Sequence, residues 1–104
     1  MAHRLIYITA GSVEEAKAIG RALVEERLAA CANVLGEVHS YYWWEGVLQE
    51  DSEASLVAKT TEALVAPLVE RVKALHSYDC PCVVALPIEA GNPDFLDWIE
   101  AETR

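Results

Sequence analysis

Residues 75–83 read Leu75-His-Ser-Tyr-Asp-Cys-Pro-Cys-Val83, bringing an imidazole, a phenol, a carboxylate and two thiols into nine positions. An extended chain across Pro81 turns Cys80 and Cys82 to one side, with Cα atoms about 6.6 Å apart at ~3.3 Å per residue. Pro81 favours that conformation because it biases the residue before it away from helix. The separation lies near the upper limit for an unstrained disulfide, so a stable bridge is doubtful. Two thiolates at that spacing suit a soft ion such as Cu(I) or Zn(II). His76, four residues before Cys80, could add a nitrogen ligand, and Cys31 is a further, less favoured thiol. The competing account is that these cysteines act as small apolar residues. For His76 it is that a cation at a helix C-terminus suits the dipole.

Other residues carry weaker signals. Lys59-Thr60-Thr61 at a helix start could hold an anion, with His76 and Tyr78 completing a ligand cleft, although capping alone accounts for the threonines. Glu50, Asp51 and Glu53 could collect hard cations, or form a solvated bulge that protects a long hairpin from edge pairing. His3 and His39 read as surface or edge histidines. Tyr41, Tyr42, Trp43 and Trp44 alternate across a strand, so each face receives one Tyr and one Trp. Two adjacent tryptophans on opposite faces cannot both fit one small core. We therefore read these four, with Trp98, as subunit-interface anchors. No nucleophile–base pair with an orienting acid, no Gly-rich phosphate loop and no Cys-x-x-Cys at a helix start is present, which argues against an enzyme.

The elements that must position these residues follow from periodicity. Residues 4–10 (RLIYITA) form a buried strand ending at Gly11. Ser12 and Glu15 make a capping box, and Ala16, Ile19, Leu23 and Leu28 mark the apolar face of the helix behind it. Cys31 to Trp44 is a second strand, Glu45-Gly46 a turn, and residues 47–59 the returning strand, interrupted by the polar run 49–53. Thr60 or Thr61 caps a second helix with Leu64, Leu68, Val72 and Leu75 in register, where Pro67 should bend or delay it. Residues 82–88 form a fourth strand. Asn92-Pro93 opens a terminal helix through Phe95, Leu96 and Ile99. The order βαββαβ plus a helix predicts an α+β, ferredoxin-like split βαβ fold over residues 1–104 as one domain. Its antiparallel sheet is covered on one face by two helices, with a long hairpin between the second and third strands.

Composition narrows the partners. The 104 residues are 53% hydrophobic but only 8% aromatic, a surplus that points to apolar surface reserved for copies of the chain. With 17 acidic against 8 basic residues the net charge is −9, a field that repels nucleic acid and anionic lipid alike. No stretch is long enough for a membrane helix, and the start lacks a signal-peptide core. Three cysteines cannot all pair within the chain, so a cytoplasmic protein with reduced thiols is expected.

Several motifs in order resemble the CutA family of divalent-cation tolerance proteins over nearly the whole chain. They are Thr9-Ala10, residues 22–33 (ALVEERLAACAN), residues 40–46 (SYYWWEG) and Lys59-Thr-Thr61. His76-Ser-Tyr78, residues 85–88 (ALPI) and residues 91–98 (GNPDFLDW) complete the series. The resemblance implies a compact homotrimer, a role in tolerance of copper and other divalent ions, no established reaction, and no cofactor beyond such an ion. Trimeric PII-type signal proteins share the architecture, which adds an anionic-metabolite module as an alternative, beside a structural trimer that holds protein partners. Members of the family argued to bind copper carry a Cys before the Thr-Ala and a His-His pair. Here Ile8 and Leu75 stand at those places, so only His76 carries over.

Overall fold

The computed structural model describes residues 2–103. The elements run β1 (His3–Ala10), α1 (Val13–Glu25), β2 (Cys31–Trp44), β3 (Val47–Thr61), α2 (Val65–Leu75), β4 (Val83–Ile88) and α3 (Pro93–Glu102). The strands form one antiparallel sheet in the order β2-β3-β1-β4, the arrangement of a ferredoxin-like split βαβ fold.

The core follows from the two-residue period of the central strands. Ile6, Ile8 and Ala10 of β1 and Ala54, Leu56 and Ala58 of β3 are fully buried against Ala16, Ile19 and Leu23 of α1 and Leu68 and Val72 of α2. The small residues let α1 lie close to the sheet. A Cβ at Gly20 would stand 3.3 Å from Leu56 Cδ1. α3 crosses one end of the opposite face, tied to β1 where His3 Nε2 meets the Leu96 carbonyl at 3.0 Å and the Glu100 carboxylate at 3.1 Å. His3 is thus a buried tether rather than a surface histidine.

Local signals account for most boundaries. Ser12 Oγ accepts from the Glu15 amide at 3.1 Å, while Glu15 reaches back to the Gly11 amide at 2.7 Å, a capping box displaced by one residue. α1 stops at Glu25 in a Schellman motif. The Leu28 amide donates to the Leu23 carbonyl and Arg27 to Val24, with Arg27 at φ 62° where glycine is usual. Leu28 therefore packs from beyond the helix and not along its face. Glu45 and Gly46, at φ 51° and 78°, close the hairpin as a two-residue turn of the type I′ kind.

Three expectations need correction. β3 runs on through Thr60 and Thr61, so neither threonine side chain caps α2. Thr60 is fully buried with its hydroxyl donating to the Leu28 carbonyl at 2.7 Å. Pro67 delays α2 as expected: it is the third residue of the helix, behind a 3-10 turn at Glu62–Leu64, where helix amides have no intrahelical partner and its missing N–H costs nothing. The polar run 49–53 does not interrupt β3, since every residue of it pairs with β2. The irregularity sits on the other strand, where Leu35 is extra between Val34 and Gly36, and Gly36 takes φ 103°. Lastly, β4 begins at Val83, leaving Cys82 in the preceding loop.

Truncating the central core side chain, Leu56→Ala, should cost about 3 kcal/mol in urea unfolding, the usual range for a fully buried leucine being about 2–5 kcal/mol. A loss under about 1 kcal/mol would contradict the core assignment.

Candidate functional site

The loop between α2 and β4 is pinned to the sheet by two side chains. Glu15 accepts from the Gly11 amide at 2.7 Å with one oxygen and from the Ser77 amide at 3.0 Å with the other, joining the β1–α1 and α2–β4 loops. Burial alone would raise its carboxyl. Hydrogen bonds from the Gly11 amide and from Ser77 outweigh that and hold it below the ordinary carboxylate range. His76 closes α2, its backbone N–H donating to Val72. Its Nε2 donates to the Thr9 carbonyl at 2.6 Å and its Nδ1 accepts from the Tyr78 amide at 3.1 Å. That pattern is a neutral imidazole with both nitrogens in use.

These contacts hold residues 78–82 beside the stem of the β2–β3 hairpin, and a groove of about 670 Å³ lies between them. Its walls are His39, Ser40, Tyr41, Tyr42 and Trp44 on one side, and Thr9, Tyr78, Asp79, Cys80 and Cys82 on the other, with Asp51 and Glu53 along β3. Glu53 is only 6% exposed. Burial, then the hydrogen bond to Glu53 and the charge of that carboxylate, push the Tyr78 phenol up to about 12. Tyr42 donates to Asp51 across the strand pair, and that bond raises its phenol too. Tyr78 also leans on the His76 ring, with centroids 4.8 Å apart.

The proposed ligand sets separate on this geometry. Cys80 and Cys82 are exposed, free thiols opening onto the one groove, while Cys31 is half-buried at the far end of β2, paired opposite Lys59. His76 turns no free nitrogen toward them. Among the described residues no group of three or more His, Cys, Asp and Glu side chains is placed to hold a metal ion, so the triad His76, Cys80, Cys82 is not assembled within one chain. What remains is a pair of thiols, a donor set for a two-coordinate soft ion and not for a tetrahedral zinc site.

The anion cleft does not form either. Lys59 bonds Asn33 Oδ1 at 2.7 Å and lies over the Phe95 ring at 5.9 Å, and Thr60 is buried, whereas Tyr78 bonds Glu53. Lys59 stands six positions along β3 from Glu53, roughly 20 Å of strand. The aromatic ribbon is likewise divided. Tyr41, Tyr42 and Trp44 line the groove; Trp43 is 72% exposed and lies outside it, and Trp98 stacks on Phe95 with centroids 5.4 Å apart. The sequence reading missed Glu53 as a buried carboxylate. The signal lay in the alternation of Asp51 and Glu53, which points both to one face once register is known.

This fold, with a thiol-bearing groove at a hairpin stem, defines a class as well as a shape. A family model described as CutA1 divalent ion tolerance protein matches residues 4–102, and the chain belongs to that family. It is 50% identical over 99 residues to the divalent-cation tolerance protein CutA of Thermus thermophilus, covering 95% of this chain and 96% of that one. The rice relative, named Protein CutA 1, chloroplastic, is 44% identical over 100 residues, and the chain spans 56% of its length. The crystal structure of CutA1 from Oryza sativa superimposes with a TM-score of 0.96 at 42% identity, over all of this chain and 95% of that one. The CutA structure from Archaeoglobus fulgidus, described as periplasmic, does so with 0.94 at 44% identity, over 98% and 99%. Relatives described as periplasmic and chloroplastic overturn the expectation of a cytoplasmic location drawn from cysteine content and the start of the sequence. No described helix is long and apolar enough to cross a membrane.

Glu15→Gln tests the pinning of the site loop. A carboxyl held below its unfolded value contributes stability above the ordinary carboxylate range, and loses it as pH falls through the folded value. The variant should be less stable by about 1 kcal/mol at neutral pH, a screened charged hydrogen bond. The gap should close in acid; one that widens in acid would contradict the assignment.

Proposed function

We propose that the protein contributes to divalent-cation tolerance without catalysing a reaction, by holding copper as Cu(I) between the Cys80 and Cys82 thiolates. The single observation that carries the reading is that both thiols are free and exposed on one acidic groove. Soft thiolates select Cu(I), and two of them satisfy its low coordination number. Asp51, Glu53 and Asp79 keep the surroundings negative, which favours a cation near the pair. The family description and the names of the Archaeoglobus fulgidus and Thermus thermophilus relatives, which speak of tolerance and not of a reaction, support the role.

The chain acts as a homotrimer in this reading. Val84 (51% exposed) and Leu86 (46%) of β4 stand on the sheet face away from α1 and α2, and Tyr41 and Trp43 project from the hairpin. Covering such side chains is worth about 1.5–3 kcal/mol each. The copy number of three follows the family resemblance.

Titration of the reduced protein with Cu(I) against a competing chelator tests the site. Cys80→Ser/Cys82→Ser should weaken affinity by more than the roughly 10–100-fold that loss of a supporting partner costs a metal site. His76→Gln should leave it unchanged, because both ring nitrogens are already bonded. Unaltered affinity in the double variant removes the thiols from the reading. Light scattering tests the assembly: three chains for the native protein, and dissociation for Val84→Asp/Leu86→Asp. A lone subunit at micromolar concentration in the native protein sinks the trimer.

A further inference from the structure

His76 is buried, 9% exposed, and spends both ring nitrogens on the chain itself. We propose that it is a proton-operated latch: a proton taken up from solvent at Nδ1 releases the Tyr78 amide, and with it the segment that carries Cys80 and Cys82. The geometry sets the two states. Nε2 donates to the Thr9 carbonyl of β1 at 2.6 Å and keeps its hydrogen whether the ring is neutral or charged. Nδ1 accepts from the Tyr78 amide at 3.1 Å, and a protonated Nδ1 can only donate. Two N–H groups would then point at each other across that distance, so the ring stays on β1 and the Tyr78 amide must leave. The Tyr78 ring, its centroid 4.8 Å from that of the imidazole, goes with it. These contacts lie within one chain and beneath the loop, so they stand whether or not another subunit covers its outer side.

The groups around the ring divide into those that tell the two states apart and those that do not. Glu15 of α1 lies close enough to feel a charge on the ring, and the C-terminal end of α2 also favours a cation. Both attract an imidazolium, but Glu15 is anchored to the Gly11 amide and the ring to Thr9, so they act alike with the loop closed or open. β1 contributes the Thr9 carbonyl, and Asp51 and Glu53 of β3 act on the Tyr78 phenol. The Tyr78 amide discriminates, and it requires the neutral ring. The closed loop is therefore stable above the range in which imidazoles titrate, about pH 5–8, and is lost as pH falls through it. Neither neighbouring anchor adds a response of its own. The Glu15 carboxyl, held below the ordinary carboxylate range, stays ionised on the Ser77 amide, and the Tyr78 phenol, pushed up to about 12, stays protonated. Ser77 is thus the hinge and Tyr78 the first residue to swing. The consequence for copper rests on the reading of the thiols above: an open loop no longer fixes the spacing of Cys80 and Cys82, and Cu(I) is released.

The test takes the intact, reduced, metal-free protein from about pH 7.5 to about pH 5, following amide hydrogen exchange as protection over the unstructured chain and the His76 ring nitrogens by NMR. Tyr78 protection should fall by at least about fivefold as the ring charges, while that of Ser77 changes by less than about twofold. His76→Gln, whose amide can donate to Thr9 and accept from Tyr78 without ever charging, should hold Tyr78 protection constant. His39 faces the loop from across the groove, and His39→Gln should respond as the native protein does. Where His76→Gln does not fold, the native ring decides: charging of Nδ1 together with loss of Tyr78 protection upholds the latch. A ring that stays neutral throughout, a Tyr78 amide still protected beside a charged ring, a Ser77 amide that loses protection in step, or an equal fall in His76→Gln overturns it. Cu(I) titration against a competing chelator separates the two readings. A steeper loss of affinity in acid for the native protein than for His76→Gln ties the loop to copper. Equal losses, with the loop opening as described, uphold the latch and remove copper from its consequences.

Discussion

The register of β2 against β3 is the constraint on which the rest depends. Before Leu35, Ala32 and Val34 lie opposite Ala58 and Leu56 and share the helix-covered face. The one-residue bulge reverses that parity, because side chains alternate with a period of two. Beyond it, Ser40, Tyr42 and Trp44 lie opposite Asp51, Gln49 and Val47, on the face that α1 and α2 leave open. Had pairing continued without the extra residue, His39, Tyr41 and Trp43 would stand there instead. Gly36, at φ 103°, is what makes the shift inexpensive, since a side chain there would be strained. A single glycine thus chooses which tryptophan lines the groove and which face of the hairpin each tyrosine takes.

The second wall reaches that face through polar contacts and not through packing. Residues 77–82 belong to no helix or strand, so their backbone would wander without partners. Glu15 and His76 supply those partners, one bridging two loops and one bridging Thr9 to Tyr78. The histidine that looked most like a metal ligand is consumed in this work. Its neutral, doubly bonded ring keeps Tyr78 in place, and Tyr78 in turn meets Glu53. The groove's acidity therefore comes from side chains fixed by hydrogen bonds, a field that is already organised before any cation arrives. The net charge of −9 has a local expression here.

Much of the architecture was legible because its causes are local. Ser12 with Glu15, Asn92 with Pro93, and Glu45-Gly46 each act within four residues, and each sits where the sequence places it. The misreadings share a different origin. Thr60 and Thr61 have the chemistry of caps, but their strand continues because β1 offers partners out to His3. The polar run 49–53 looked like a break, yet an edge-facing strand pair tolerates polar residues as long as its ladder is complete. Leu28, five residues past Leu23 and so off strict helical spacing, still reaches the helix's apolar face because a Schellman turn returns the chain to the same apolar neighbour.

By itself the sequence determined the order of elements, their caps and turns, the apolar alternation of β1 and β3, and the family to which the chain belongs. Those features are set by dihedral preferences and by hydrogen bonds between near neighbours, and both can be read along a line. Only the tertiary structure decided that His76 has no nitrogen to spare, that Lys59 lies near one end of β3 while Tyr78 sits beside its middle, and that Glu53 is buried beside a phenol. Each of those facts depends on which residues lie across a strand pair or beneath a loop. Proximity of that kind is fixed by register and packing over the whole sheet, where one extra residue exchanges the two faces.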